Sequence, residues 1–272
     1  MIPPAGREGG ARGPTPQGLR IESVGDAVVL TLDRPDTHNA LDRALAEALA
    51  DAIALAAQDP SVRGIVLTGG GDRTFMSGGD LNMLAQLVKN DESGDAVLDM
   101  GDRLAACERV PVPVIAAVQG DVYGGGCEML LLCDMAVMES HAALAFRHAK
   151  MGLSPAWGGL TRLVERAGPI EAARLLFTAD KIDAAEALRV GLVNEVVPRG
   201  AARARALALV ARIADNPRTT VAALKRGLHA VRAARRGQAV DREREVFAER
   251  WGGADHQDAM RVFTARKSPP EP

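Results

Sequence analysis

The chain has 272 residues, of which 47% are hydrophobic and 25% are charged, as in ordinary folded domains. Its formal net charge of -2 excludes a strong overall attraction to nucleic acid or to an anionic membrane. Any polyanionic ligand must therefore be held by local groups.

Three cysteines, Cys107, Cys127 and Cys133, form no C-x-x-C pair and no even disulfide framework, which favours a reducing, cytoplasmic location. The first 18 residues are rich in Pro and Gly and lack the apolar segment of a secretory signal, so we expect a disordered tail. No apolar run approaches the roughly 18 residues that span a bilayer, so no membrane association is expected.

The first half of the chain alternates between strand and helix patterns. Strands are predicted at 19–23, 27–32, 64–69, 112–118, 134–139 and 142–146. Helices are predicted from the N-cap Asp42 to about residue 58, near Leu81, and at 96–109 and 127–133. The runs at 64–69 and 112–118 are apolar throughout, as in strands buried on both faces of a parallel sheet.

After Gly158 the pattern becomes mainly helical. Helices are predicted at 159–166, 169–177, 183–190, 200–214, 217–234, 240–250 and 256–267, with one strand at 192–197. The sequence therefore predicts an α/β core over residues 19–198 and a helical C-terminal region over residues 199–272. The many arginines of that region are spaced as on solvated helix faces, which argues against a nucleic-acid surface.

Two glycine-rich loops each follow a buried strand and precede a helix: Ser77-Gly78-Gly79-Asp80 and Gly124-Gly125-Gly126-Cys127-Glu128. Backbone N–H groups at a helix N-terminus are unpaired, and two of them aimed at one point form an oxyanion hole. Taken alone, such glycines would as readily serve tight turns. The chain has no Rossmann or P-loop glycine motif and no G-x-S-x-G elbow, and its histidines have no metal-ligand spacing.

Several blocks occur in an order that resembles the enoyl-CoA hydratase/isomerase (crotonase) superfamily, from about residue 19 to residue 268. The main block is Pro113-Val-Ile-Ala-Ala-Val-Gln-Gly-Asp-Val-Tyr-Gly-Gly-Gly-Cys-Glu128 with Cys133-Asp134. The others are Arg34-Pro35 with Asn39-Ala40-Leu41, Ile65–Gly69 with Phe75–Leu81, Lys150–Pro155 with Gly158-Gly159 and Arg162-Leu163, and Ala185 through Gly191-Leu192-Val193.

The resemblance implies a core of spiralling ββα turns with a helical trimerisation region, and a homotrimer or a dimer of trimers. It implies an acyl-CoA substrate, no cofactor beyond that CoA, no metal, and a role in fatty acid metabolism. The N–H groups of Gly79 and Gly125 would stabilise a thioester enolate. The implied substrate and CoA contacts are His38, Asn39, Ala40, Leu41, Ser77, Gly78, Gly79, Asp80, Leu81, Tyr123, Gly124, Gly125 and Trp157, with Phe263 and Arg266 from a neighbouring subunit's last helix.

The chain departs from the resembled hydratases at one of their two catalytic glutamates. Glu128 matches the first, but His148 stands at the second position. Adding water requires one group to take a proton and another to give one, so the change puts both hydratase and isomerase chemistry in doubt. Histidine exchanges protons near neutral pH, so His148 is a candidate proton donor beside Glu128.

Further motifs resemble the ethylmalonyl-CoA and methylmalonyl-CoA decarboxylase-like branch of the superfamily. They are Thr74–Asn82, Phe146-x-His148-x-x-Met151-Gly152, Ser154-Pro155-x-Trp157-Gly158-Gly159 and Trp251-Gly252-Gly253. We therefore predict a lyase, with decarboxylation of a short 2-alkylmalonyl-CoA favoured over hydration of a 2-enoyl-CoA. A non-catalytic acyl-CoA-binding protein is a third reading. The acyl group, and CoA or acyl carrier protein as the carrier, stay open.

Overall fold

A computed structural model of the chain describes residue 15, residues 17–236 and residues 238–265. Within these ranges the strands are β1 (Leu19–Val24), β2 (Ala27–Leu32), β3 (Gly64–Gly69), β4 (Thr74–Met76), β5 (Val114–Val118), β6 (Asp121–Tyr123), β7 (Met135–Glu139), β8 (Ala143–Ala145), β9 (Ile182–Asp183) and β10 (Glu195–Val197). The α-helices are α1 (Arg43–Gln58), α2 (Leu81–Lys89), α3 (Asp95–Ala105), α4 (Gly125–Leu132), α5 (Gly159–Thr178), α6 (Ala184–Arg189), α7 (Ala202–Ala214), α8 (Arg218–Arg236), α9 (Ala239–Arg250) and α10 (Ala254–Ala265).

The larger sheet has the strand order β1-β2-β3-β5-β7-β10 and is parallel except between β1 and β2. Successive residues of β3 point to opposite faces and are buried on both. Ile65 and Leu67 join the main core with α1, whereas Val66 packs with Val210 of α7 on the other face. This confirms the prediction that the continuous apolar runs are strands buried on both sides, and α/β is the observed class.

The smaller sheet has the order β4-β6-β8-β9 and was only partly predicted. The sequence analysis placed residues 74–76 and 121–123 inside loops and gave no strand at 182–183. Strands of two or three residues are too short to show a hydrophobic period, so the pattern could not reveal them. Because β4 and β6 directly precede the two glycine-rich segments, this sheet fixes where both segments start.

Helix boundaries follow the predicted signals closely. Asp42 caps α1 by accepting the N–H of Leu45 at 2.8 Å. The two helices predicted at 159–166 and 169–177 are the halves of α5, which is interrupted at Gly168 (φ 79°) before Pro169. The predicted strand at 192–197 is shortened to β10. No helix within the described ranges is long and apolar enough to cross a membrane.

The C-terminal helices are tied to the core by buried charges. Glu108 accepts hydrogen bonds from Arg162 of α5 and from Arg236 of α8. Burial raises the pKa of Glu108, but these arginine hydrogen bonds outweigh it and bring the pKa to about 2. Lys225 of α8 likewise reaches Asp134 at 2.7 Å. The helix α7, which the predicted boundary at residue 198 assigned to the C-terminal region, packs on the large sheet itself.

The junction between α9 and α10 is built around His256, which is fully buried. Its Nδ1 accepts the N–H of Gly252 at 3.1 Å, and its ring centroid lies 4.7 Å from that of Trp251. Its Nε2 has no partner among the residues that the structure describes. Burial without an acid partner lowers the pKa of His256, because the charged form cannot be solvated.

This environment predicts acid sensitivity of α10. With its folded-state pKa depressed, His256 stabilises the fold above its unfolded pKa of about 6.5, and that contribution is lost as the pH falls below it. We expect the protection factors of the α10 amides, which correct for the slower intrinsic exchange at lower pH, to fall between about pH 7.5 and about pH 5.5. His256→Asn keeps an acceptor for the Gly252 N–H but does not titrate, so its α10 should show a flatter pH profile. An unchanged profile in His256→Asn would contradict the assignment.

Candidate active site

A cavity of about 530 Å³ opens where the loops after β4 and β6 approach the C-terminal helices. Most of the residues predicted for the site line it: His38, Ala40, Ser77, Gly79, Asp80, Leu81, Tyr123, Gly124, Gly125, Glu128, His148, Trp157 and Phe263. Phe263 was expected to act from a neighbouring subunit, but it lines the cavity of its own chain. Arg266 lies outside the described residues.

Three predicted residues lie behind the cavity wall and hold it. Asn39 is fully buried, and its side-chain amide donates to the backbone oxygens of Gly70 (3.0 Å) and Thr74 (2.7 Å). Leu41 forms an isolated parallel bridge with Gly79, and its N–H donates to the backbone oxygen of Gly78, the third of these residues, at 2.8 Å. These contacts fix the loop after β2 against the first glycine-rich segment.

The two glycine-rich segments meet at the cavity. Gly125 is the first residue of α4, and a Cβ on Gly78 would lie only 2.6 Å from its nitrogen. Gly78 also has φ +99°, a backbone conformation that favours glycine. Neither the Gly79 nor the Gly125 N–H has an acceptor within the described part of the chain. Two unpaired donors therefore stand on adjacent segments, one of them at the positive end of a helix, as an oxyanion hole requires.

Glu128 lines the cavity but is buried, with only 2% of the residue exposed, and hydrogen bonds fix both of its carboxylate oxygens. Its Oε2 accepts the N–H groups of Trp157 (2.7 Å) and Gly159 (2.9 Å) at the start of α5. Its Oε1 lies 3.0 Å from His148 Nε2 and accepts the N–H of Ala156 at 3.3 Å. Three backbone N–H groups at the start of α5 and the His148 ring therefore fix the position of the Glu128 carboxylate.

His148 lies on the short 3-10 helix Arg147–Met151, with its ring against the cavity. While Nε2 bonds to Glu128, the buried Nδ1 has no partner among the described residues. Glu128 thus fixes the orientation of the His148 ring and leaves Nδ1 as its one nitrogen without a partner among the described residues. The pair can act as one proton-transfer unit rather than as two independent groups.

A second buried carboxylate, Glu243 of α9, was missed by the sequence analysis. Its oxygens accept the N–H groups of Leu160 and Thr161, both at 3.0 Å, and the Thr161 hydroxyl at 2.9 Å. Burial, followed by the nearby charge of Glu128, raises the pKa of Glu243 in spite of these hydrogen bonds. Nothing in the sequence marks it, because Asp241, Arg242, Arg244 and Glu245 surround it with ordinary surface charge.

Trp157 forms part of the cavity wall and is also core. Its Nε1–H donates to the Val97 backbone oxygen at 2.9 Å, and only 4% of the residue is exposed. A Cβ on Gly125 would lie 2.7 Å from the indole, and one on Gly101 of α3 would lie 2.6 Å from it. The ring is therefore clamped between two glycines, one of which carries a predicted oxyanion donor.

Two polar side chains of the cavity lining, Asp80 and His38, are held by neighbouring residues. Arg34 bonds to Asp42 at 2.8 Å and to Asp80 at 3.3 Å, so the Asp80 charge is already paired. His38 contributes its Nδ1 to a hydrogen bond with the Thr74 hydroxyl at 3.0 Å. Across the described ranges, no group of three or more His, Cys, Asp or Glu side chains is arranged to hold a metal ion.

A parallel α/β core with two glycine-flanked amide donors over one cavity defines an enzyme class that stabilises oxyanions. The family model described as enoyl-CoA hydratase/isomerase matches residues 23–270, and the chain belongs to this family. It is 32% identical over 248 residues to a short-chain-enoyl-CoA hydratase from Clostridium acetobutylicum, covering 91% of this chain and 94% of that protein.

The chain is also 32% identical over 235 residues to an ethylmalonyl-CoA decarboxylase from Rattus norvegicus, covering 85% of this chain and 78% of that protein. Among solved structures it resembles an enoyl-CoA hydratase/isomerase from Mycobacterium paratuberculosis, with a TM-score of 0.83 and 27% identity over 91% of this chain and 99% of that one. The predicted family and crotonase-like fold are thus confirmed.

The Gly125 amide can be tested with a matched pair of variants. Gly125→Pro removes the N–H, but its ring also brings a Cβ against Trp157. Gly125→Ala brings the same Cβ and keeps the N–H, so it isolates the packing effect. We expect enolate formation, measured as α-hydrogen exchange of butyryl-CoA in D2O, to be about 100- to 1,000-fold slower in Gly125→Pro than in Gly125→Ala. Equal rates in two folded variants would rule out the amide as a donor.

Proposed function

We propose that the protein is a lyase that decarboxylates a short 2-alkylmalonyl-CoA through a thioester enolate. The observation that carries this proposal is the Glu128–His148 pair, in which one nitrogen, His148 Nδ1, is left to exchange a proton. Decarboxylation consumes one proton at the α-carbon and needs no activated water. The reaction needs no cofactor beyond the CoA that the substrate carries.

The proposed reaction has two steps. The bond between the α-carbon and the carboxylate breaks out of the thioester plane, CO2 leaves, and the electron pair moves onto the thioester oxygen. The Gly79 and Gly125 N–H groups stabilise that oxygen, typically by about 3–4 kcal/mol for one donor. His148 Nδ1–H then protonates the α-carbon and regains its proton from solvent, while Glu128 stabilises the cationic ring.

Hydration of a 2-enoyl-CoA is the second candidate. The resemblance to the Clostridium acetobutylicum hydratase and the presence of Glu128 on the cavity wall favour it. Against it, both Glu128 oxygens already accept backbone N–H groups, so Glu128 is poorly placed to take a proton from water. A non-catalytic acyl-CoA-binding role would leave the two unpaired amide donors and the His148 pair without a use.

We also propose that the chain assembles as a homotrimer or a dimer of trimers. One face of α8 carries three exposed apolar residues, Leu224 (64% exposed), Leu228 (68%) and Val231 (57%), which is a large apolar surface for a single chain.

The assembly can be tested by light scattering of the purified protein. We expect a mass of three or six times that of one chain, and the mass of a monomer would contradict the proposal.

The reaction can be assigned by a substrate panel. Purified protein is incubated with ethylmalonyl-CoA, methylmalonyl-CoA and crotonyl-CoA, and CO2 release and loss of enoyl absorbance are followed. We expect CO2 from at least one malonyl thioester and slow or no hydration. Rapid hydration of crotonyl-CoA with no CO2 from either malonyl thioester would overturn the proposed decarboxylation in favour of the hydratase.

The proposed role of His148 predicts that its substitution affects proton transfer at the α-carbon more than C–C cleavage. His148→Gln retains a donor toward Glu128 but cannot exchange a proton at the α-carbon. We expect α-hydrogen exchange of butyryl-CoA to fall about 100- to 10,000-fold, and CO2 release to fall less, because C–C cleavage precedes protonation. Equal losses in both measurements would show that His148 acts before cleavage, contrary to the mechanism.

A further inference from the structure

Arg147 is the only Lys or Arg side chain that lines the 530 Å³ cavity within the described part of the chain. It directly precedes His148 on the same 3-10 helix and is half-buried. The acidic side chains of the wall are Asp36, Asp80 and Glu128. Because Asp80 is paired with Arg34 and Glu128 is held by amides and His148, neither of these two needs Arg147 to balance its charge.

The Arg147 guanidinium has no hydrogen bond or ion pair to any residue that the structure describes. Its central carbon lies 6.0 Å from the ring centroid of Tyr123, which also lines the cavity. The Tyr123 hydroxyl donates to Asp121 at 2.6 Å, and Lys181 reaches the same carboxylate at 2.7 Å. The ring is therefore fixed, and the contact positions the cation without using its N–H donors.

An arginine whose N–H donors are unused is suited to bind a carboxylate. Guanidinium presents parallel N–H donors that match a carboxylate in a two-bond arrangement, and an apolar surrounding strengthens that pairing. Tyr123 immediately precedes Gly124-Gly125, so the contact with Tyr123 places the Arg147 guanidinium beside the segment that carries a predicted oxyanion donor.

We infer that Arg147 binds a free carboxylate on the acyl group. It would thereby select acyl-CoA thioesters whose acyl group carries such a carboxylate. That this group is the leaving carboxylate of a 2-alkylmalonyl-CoA rests on the function proposed above. As CO2 forms, negative charge moves from the carboxylate to the thioester oxygen, so the Arg147 contact is stronger in the ground state than in the transition state. Arg147 is therefore a binding and specificity residue, which acts on KM more than on kcat.

The test compares two CoA thioesters of equal chain length that decarboxylation does not consume, because neither carries a carboxylate on its α-carbon. Succinyl-CoA carries a free carboxylate and butyryl-CoA does not. Calorimetry is performed with the wild type, Arg147→Gln, Arg147→Lys and, as a control, Lys150→Gln, which removes an exposed cation from the same 3-10 helix outside this cavity. We expect Arg147→Gln to lose about 10- to 100-fold in succinyl-CoA affinity with butyryl-CoA affinity unchanged.

Arg147→Lys should recover part of the loss, because it restores the charge without the two-bond geometry, and Lys150→Gln should bind both thioesters as the wild type does. Equal weakening of both thioesters by Arg147→Gln would mean that Arg147 contacts a CoA phosphate, and would overturn the inference, as would no change in either. Unchanged butyryl-CoA affinity also shows that the variant is folded.

Kinetics separate this inference from the proposed reaction. If the wild type releases CO2 from ethylmalonyl-CoA, Arg147→Gln should raise KM about 10-fold or more and leave kcat within a few-fold. A fall in kcat alone would overturn the specificity role while leaving decarboxylation intact. A wild type that prefers succinyl-CoA but releases no CO2 would remove the decarboxylase and keep Arg147 as the carboxylate-binding residue.

Discussion

The N-terminus of α5 is the constraint on which the structure of the candidate active site depends. Backbone N–H groups between residues 156 and 161 bind two buried carboxylates, Glu128 from α4 and Glu243 from α9. Each carboxylate would be costly to bury alone, and together they repel one another. The positive end of the helix and its first amides, which have no partner within the helix, compensate both and so join α4 and α9 to the start of α5.

Close approach at this helix end explains the glycines before α5. A Cβ on Gly159 would lie 2.4 Å from the Glu128 side chain, and Gly158 has φ +77°. Neither position tolerates another residue without moving the carboxylate or the backbone. The carboxylate in turn orients His148, so the geometry of the proposed proton transfer depends on glycines that do not line the cavity.

Much of this arrangement could be predicted from the sequence. The features that could not be predicted have in common that no local sequence pattern specifies them. The apolar runs of β3 and β5 and the Asp42 cap are local signals, and the structure has them where they were expected. Strands β4, β6 and β9 are too short for a period. The structural roles of Glu243 and of the buried Asn39 side chain depend only on contacts with segments distant in the sequence, and no local pattern predicts such contacts. The resemblance brought the cavity residues together because family motifs carry that long-range information.

The capping of α5 by Glu243 has a consequence for folding during translation. Glu243 follows Leu160 by 83 residues, so the first turn of α5 emerges from the ribosome long before its second carboxylate exists. Until α9 has been synthesised and docked, the amides of Leu160 and Thr161 depend on water, and the cavity wall is unfinished. A nascent chain therefore lacks one of the two carboxylates that cap α5 until α9 has been translated.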